Sequence, residues 1–222
     1  MRTPIVDEID PITLVGGGEL GPDDLKLALE RAPVLVAADG GAGAAVRAGH
    51  IPVAVIGDFD SLSAQTRAQI PKDRLFPIKE QTSTDFDKAL RNIAAPIVLA
   101  VGFLGARVDH QLGALNTLVR HADRPCILIG AQEVIFHVPP RLLVSLVPGD
   151  IVSLFPMARV CGRSVGLEWP IDGLVLEPGG RIATSNRALG DVGLKMDGAG
   201  LLMIAPRRAL DAVMRAIAPV RA

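Results

Sequence analysis

Residues 34–61, VLVAADGGAGAAVRAGHIPVAVIGDFDS, decide the fold. Residues 34–38 are a short apolar run rich in β-branched side chains, 42–48 form an alanine-rich helical stretch, and 53–56 return to a strand pattern. Each strand runs out into glycine and aspartate: Asp39-Gly40-Gly41 after the first, Gly57-Asp58-Phe59-Asp60-Ser61 after the second. Strand, helix and strand in that order make a crossover unit, whose two strands lie parallel.

The same alternation continues to either side. A strand at 12–15 precedes a helix at 22–31, which opens Pro22-Asp23-Asp24, a fixed φ and two negative charges suited to a helix start. Beyond residue 61 come a helix at 64–69, a short strand at 75–77, a helix at 85–92, a strand at 97–101, a long helix at 109–121 and a strand at 126–129. This predicts an α/β fold, a mostly parallel sheet covered by helices on both faces. After Val138 the character changes. Pro139-Pro140 punctuates the chain, and short strand-like runs follow at 142–146, 151–155, 174–176, 192–196 and 201–205, with one helical stretch at 209–218. That pattern predicts a C-terminal antiparallel β-sandwich. Two domains are therefore expected, 1–138 and 139–222. Charge divides at the same place: 13 basic and 17 acidic residues give −4 before the boundary, and 10 and 7 give +3 after it.

Composition narrows the function classes. At 222 residues, with 49% apolar and 21% charged side chains, the chain is globular rather than disordered. A formal net charge of −1 supplies no field for nucleic acid, and one tryptophan with six phenylalanines makes no stacking platform for it. The longest uncharged apolar stretch, 97–106, falls short of the roughly 18 residues a membrane-spanning helix needs. The N-terminus lacks the apolar centre of a signal peptide. Cys126 and Cys161 stand far apart without a ligand pattern, so a reduced, cytoplasmic protein is expected.

In an open parallel sheet, ligands bind beyond the carboxyl ends of the strands. Those ends carry Gly16-Gly17-Gly18-Glu19, Asp39-Gly40-Gly41, Gly57 to Ser61, and Gly102 through Gly105 leading to Arg107 and Asp109. Glycine lets backbone N–H groups approach phosphate, and aspartate offers hard oxygens to Mg²⁺. Gly16 to Gly21 spells G-x-G-x-x-G, the fingerprint of a dinucleotide site. However, Gly21 precedes Pro22, so the helix is expected to begin after the motif rather than inside it. Asp58 and Asp60 are two apart, and on an extended segment both would face the crevice. They would repel unless a cation sat between them. A solvated turn would look the same, and Asp85, at the start of the next helix, is the third carboxylate that favours a metal site. Asp87 reads as a helix-dipole residue. Arg107 can fork onto phosphate, while Asp109 reads as an N-cap. His110 is the only histidine beside other candidate groups, and reads first as a packing or capping residue. His50, His121 and His137 read as surface or filler. Trp169 stands alone in a positively biased β domain, where a core position is the simpler reading.

Taken in order, Ala38-Asp39-Gly40-Gly41-Ala42, Gly57-Asp58-Phe59-Asp60-Ser61, Gln81 to Asp85, Gly105-x-Arg107-x-Asp109-His110, Gly166-Leu167-Glu168-Trp169 and Thr184-Ser185-Asn186-Arg187 resemble the thiamine pyrophosphokinase family. The family usually has Asn where this chain has Gly43, and commonly Asp where it has Thr82. The resemblance implies pyrophosphoryl transfer from ATP to thiamine, giving thiamine diphosphate and AMP. It implies Mg²⁺ held by Asp58, Asp60 and Asp85, phosphate held by Arg107, and substrates oriented by Gln81 and Asp109. One carboxylate would accept the hydroxyl proton, and no residue is an evident base with a pKa near 7. Asp39, Gly40 and His110 fall in the matched motifs as substrate contacts. It further implies a homodimer in which Trp169 stacks on thiamine across the interface, with Ser185 and Asn186 close by. A pyrophosphokinase for another alcohol, such as a hydroxymethylpterin, would use the same aspartates. A nicotinamide oxidoreductase rests only on Gly16 to Gly21. A binder without turnover would release no AMP.

Overall fold

The computed structural model describes residues 3–105 and 107–218. It divides into two compact units, Met1–Thr117 with Leu128–Gly130 and Leu118–Ile127 with Ala131–Ala222.

The first unit runs β1 (Val6–Asp7), β2 (Ile12–Val15), α1 (Asp24–Leu29), β3 (Val34–Ala38), α2 (Gly41–Arg47), β4 (Ala54–Gly57), α3 (Ala64–Ala68), β5 (Leu75–Pro77), α4 (Asp85–Arg91), β6 (Ile93–Ala94) and β7 (Val98–Val101). α5 (Val108–Arg120) and β8 (Cys126–Ile129) follow. The main sheet has the order β8-β7-β2-β3-β4-β5, and the pairs β7–β2, β2–β3, β3–β4 and β4–β5 are parallel. β2, β4, β7 and β8 are buried at every residue, which is why they read as continuous apolar runs rather than alternating ones. α1 packs on β2 and β7, α2 on β2 and β3, α4 on β3 and β4. Close packing at one strand end requires glycine: a Cβ on Gly41 would sit 2.1 Å from the Val15 carbonyl oxygen. Successive strands move outward from β2 through β5, whereas β7 returns to the other side of β2. Strand order therefore reverses between β2 and β7, and a crevice opens beyond their carboxyl ends.

The second unit contains β9 (Glu133–His137), β10 (Arg141–Val144), β11 (Ile151–Pro156), β12 (Val160–Leu167), β13 (Val175–Leu176), β14 (Ala183–Met196), β15 (Leu201–Pro206) and α6 (Leu210–Ile217). Its pairings are antiparallel. β14 is the organising strand. Its first half pairs with β11, Arg187 opposite Ile151, and its second half with β10 and β12, Gly193 opposite both Leu143 and Val165. The register shifts between Val165 and Leu167, where one strand changes partners.

Five elements depart from the sequence pattern, two of them the two-residue strands β1 and β6, where no strand was expected. β9 precedes residue 138 but pairs antiparallel with β15. β12 and the first half of β14 carry Gly, Ser, Arg and Asn in place of an apolar run, and were not expected as strands. The two thiols are free, as expected, with Cys126 buried. Among the described residues, no helix is long and apolar enough to cross a membrane.

Candidate active site

A cleft of about 530 Å³ lies within the first unit. The loops after β2, β3, β4 and β7 and the start of α4 form its walls, so the crevice at the switch point is the cavity found. Gly17, Asp39, Asp58, Asp60, Asp85 and Arg107 are among the lining residues, with Gly40, Gln81 and His110.

The glycine-rich loop is spent largely on structure. The amides of Gly16 and Gly18 donate to the carbonyls of Val101 (2.8 Å) and Gly102 (2.9 Å), tying the end of β2 to the end of β7. α1 starts at Asp24, beyond the motif, as the Gly21-Pro22 pair predicts.

Asp39, Asp58 and Asp60 each place a carboxylate oxygen within 4.8 Å of the others. Asp39 follows β3 and Asp58 follows β4, and the two strand ends approach so closely that a Cβ on Gly57 would lie 2.7 Å from that of Asp39. Asp58 and Asp60 converge for a reason other than the one expected. The segment is not extended: Phe59 has φ 68° and turns the chain through a left-handed conformation, costly for a bulky side chain. Asp39 also has positive φ, 40°. Its Oδ2 accepts the Ser61 amide at 3.2 Å, while its Oδ1 is buried without a hydrogen-bond partner among the described residues. Burial, opposed by the Ser61 amide and reinforced by the Asp60 carboxylate, pushes Asp39 up to about 7.

Asp85 stands outside this three-oxygen group. Lys88, one turn along α4 and 2% exposed, holds it: its Nζ lies 2.9 Å from Asp58 Oδ2 and 3.0 Å from Asp85 Oδ1. Burial works against the ammonium, but the hydrogen bonds to Asp58 and then Asp85 outweigh it and raise its pKa. The same ion pair holds Asp58 below the ordinary carboxylate value. Asp85 is raised by its own burial, with Lys88 opposing. The cation that two converging carboxylates need is thus a lysine on the Asp85 side. Sequence reading missed Lys88, although its place three residues after Asp85 on a helix was a usable signal.

Gln81 donates from Nε2 to Asp58 Oδ2 at 3.0 Å. Thr84 caps α4, accepting the Asp87 amide, and the Asp87 carboxylate pairs with Arg91 rather than standing as a lone dipole charge. Asp109 lies inside the first turn of α5 instead of capping it, and Arg107 grips it through two bonds of 3.1 and 2.6 Å. Both side chains are about two-thirds exposed, at 67% and 63%. The guanidinium fork therefore already holds a carboxylate. Ala106, within that motif, lies outside the described residues. His137 is no filler: its Nε2 accepts the Gly200 amide at 3.0 Å.

In the second unit, the segments around Trp169 and Asn186 meet. The buried Asn186 side chain accepts the Trp169 amide (3.2 Å) and donates to its carbonyl (2.7 Å), and Arg187 pairs with Glu168 at 2.9 Å. Asn186 thus clamps the backbone of Trp169, a residue 55% exposed and not part of the core. Ser185 has φ 57° and donates its amide to Ser153 Oγ.

Residues 25–129, which carry this cleft's aspartates, match the family model described as thiamin pyrophosphokinase, catalytic domain. A rice protein named thiamine pyrophosphokinase 1 is 26% identical over 199 residues, 74% of this chain and 75% of its own. The Bacillus subtilis thiamine pyrophosphokinase is 27% identical over 215 residues, 87% of this chain and 96% of its own. The crystal structure of thiamin pyrophosphokinase from Geobacillus thermodenitrificans superposes with a TM-score of 0.71 at 27% identity, covering 88% of this chain and 96% of that one. Relatives of that name match over most of the chain and the family model matches over the cleft, so the chain is similar to the thiamin pyrophosphokinases.

Proposed function

We propose that this chain transfers the pyrophosphoryl group of ATP to the hydroxyethyl oxygen of thiamine, giving thiamine diphosphate and AMP. The observation that carries the reading is the convergence of Asp39, Asp58 and Asp60 within 4.8 Å at the strand ends of the cleft. Three carboxylates, one of which has a buried oxygen without a partner among the described residues, suit Mg²⁺. We assign the metal to Asp39, Asp58 and Asp60, so that Asp39 enters the set and Asp85 leaves it for Lys88. Asp39, Asp58 and Asp60 would hold Mg²⁺ there, and the ion would supply positive charge against the triphosphate and the departing AMP oxygen.

The protein's own part is positioning. Lys88 and Gln81 both donate to Asp58 Oδ2, which keeps its carboxylate oriented in the cluster. Asp85 lines the same cleft as a partly exposed carboxylate kept in place by Lys88. Arg107 reaches phosphate by sharing or releasing Asp109, and His110 lines the wall beside it. Trp169 presents its ring for stacking against a flat cationic heterocycle, with Asn186 fixing its backbone. We read the active species as a homodimer in which Trp169 of one subunit serves the cleft of the other. The two free thiols support a reducing cytoplasmic location.

The test is AMP release from ATP and Mg²⁺, with and without thiamine. Thiamine-dependent AMP, abolished by chelation, is the expected result. Asp58→Asn and Asp60→Asn should each lower turnover by roughly 10²–10³-fold, the scale for losing a group that stabilises developing charge, with circular dichroism unchanged. AMP release that ignores thiamine, or a fully active double variant, would overturn the reading.

A further inference from the structure

The loop between β5 and α4 is folded back onto the far end of α4 by one side chain. Arg91, the last residue of that helix, places NH2 2.7 Å from Glu80 Oε1 and NH1 3.2 Å from Ser83 Oγ. The same guanidinium is steadied from below by the buried Asp87 carboxylate at 3.4 Å. Glu80 in turn accepts the Thr82 amide at 3.1 Å and the hydroxyls of Thr82 and Ser83. The result is a closed ring of contacts: Arg91 to Glu80, Glu80 to Ser83, Ser83 to Arg91. Gln81 lies inside that ring in sequence but points out of it, with Nε2 on Asp58. An ordinary surface ion pair would leave Gln81 free to swing. Here the residues before and after it are fastened to a helix, and Gln81 can hold Asp58 at 3.0 Å only while that fastening lasts.

We infer that Arg91 is a positioning residue of the proposed transfer, acting through Glu80 and Ser83 to hold Gln81 against Asp58. The inference rests on the function proposed above. Its cost follows from geometry: displacing a substrate-positioning group by about 1 Å lowers turnover by up to roughly 10²-fold.

The experiment compares Arg91→Met, Gln81→Ala and the double variant of the full chain by kcat and thiamine KM. Amide exchange of the 80–85 segment is followed in parallel. Arg91→Met should lower kcat by roughly tenfold or more, with KM within about twofold, and speed exchange in that segment while leaving β14 protected. If Arg91 works through Gln81, the same change made in the Gln81→Ala background should cost less than about twofold. An equal loss in both backgrounds would mean general destabilisation and would overturn the inference, as would an unchanged kcat in Arg91→Met. A parent chain that releases no AMP with thiamine would instead defeat the proposed function. Exchange of the 80–85 segment then decides the clasp by itself: faster in Arg91→Met upholds it, unchanged ends it.

Discussion

Lys88→Met tests the electrostatic argument at its centre. Lys88 is 2% exposed and carries two ion pairs, of 2.9 and 3.0 Å, to Asp58 and Asp85. Methionine keeps the volume and removes the charge, leaving two carboxylates facing one another. Removing one partner of a buried pair costs about 3–5 kcal/mol. Protonation sets a ceiling, because discharging a carboxylate of ordinary pKa 3.8 at pH 7 costs about 4 kcal/mol. Asp85 is about one-third open to solvent, which screens part of the loss. The expected deficit at pH 7 is therefore about 2–4 kcal/mol, a fall in Tm of roughly 5–15 °C. Its pH dependence has a definite sign. In the parent chain Lys88 depresses the Asp58 pKa, so this stabilisation is complete above the unfolded value and is lost as pH falls through the folded one. In the variant the orphaned carboxylates are raised, and acid relieves them. Urea unfolding should thus show a deficit widest near pH 7 and narrower near pH 4.5, with Lys88→Met/Asp58→Asn recovering part of it. Equal deficits at the two pH values, or less than about 0.5 kcal/mol at pH 7, would refute the reasoning.

Gly41→Ala brings a Cβ to 2.1 Å from the Val15 carbonyl, against backbone that cannot yield cheaply; thermal unfolding should show a loss of about 3 kcal/mol, and a smaller effect than 1 kcal/mol contradicts the close approach. His137 has its pKa lowered by burial and must stay neutral at Nε2 to accept the Gly200 amide. Stability should accordingly be full above the unfolded value of about 6.5 and fall as pH drops through it towards the lower folded value, whereas His137→Gln flattens that slope in the same unfolding series. Trp169→Ala should raise thiamine KM by roughly 2- to 30-fold with ATP KM unchanged, the range for losing a cation–π contact. Asn186→Ala, which frees the Trp169 backbone, should move thiamine KM the same way but less, and steady-state kinetics that leave both KM values untouched would dismiss the stacking role.

Much of the first unit was legible because burial and sequence agree there. A strand covered on both faces reads as an apolar run, so β2, β3, β4, β7 and β8 announce themselves, and the Asp-Gly and Gly-Asp pairs beyond β3 and β4 mark where ligands gather. The second unit hid more. Residues 183–191 carry no apolar run, and β14 pairs with β11 along one half and with β10 and β12 along the other. Strand identity there comes from partners far away in the chain, which no local window contains. β9 was not expected as a strand for a related reason, since its pairing with β15 spans more than 60 residues.

Residue types and their order by themselves put aspartates at the strand ends, and the order of the motifs, by family resemblance, pointed to the reaction class. Folding decided who stands beside whom. Asp39 joins Asp58 and Asp60 because Gly57 lets β3 and β4 close to contact, and because a strained Phe59 turns a segment that would otherwise run straight. Asp85 is given to Lys88, Arg107 to Asp109, and Gln81 to Asp58. Charged groups within a few ångströms set each other's protonation and orientation through distance and burial, and both quantities exist only once the strands are assembled.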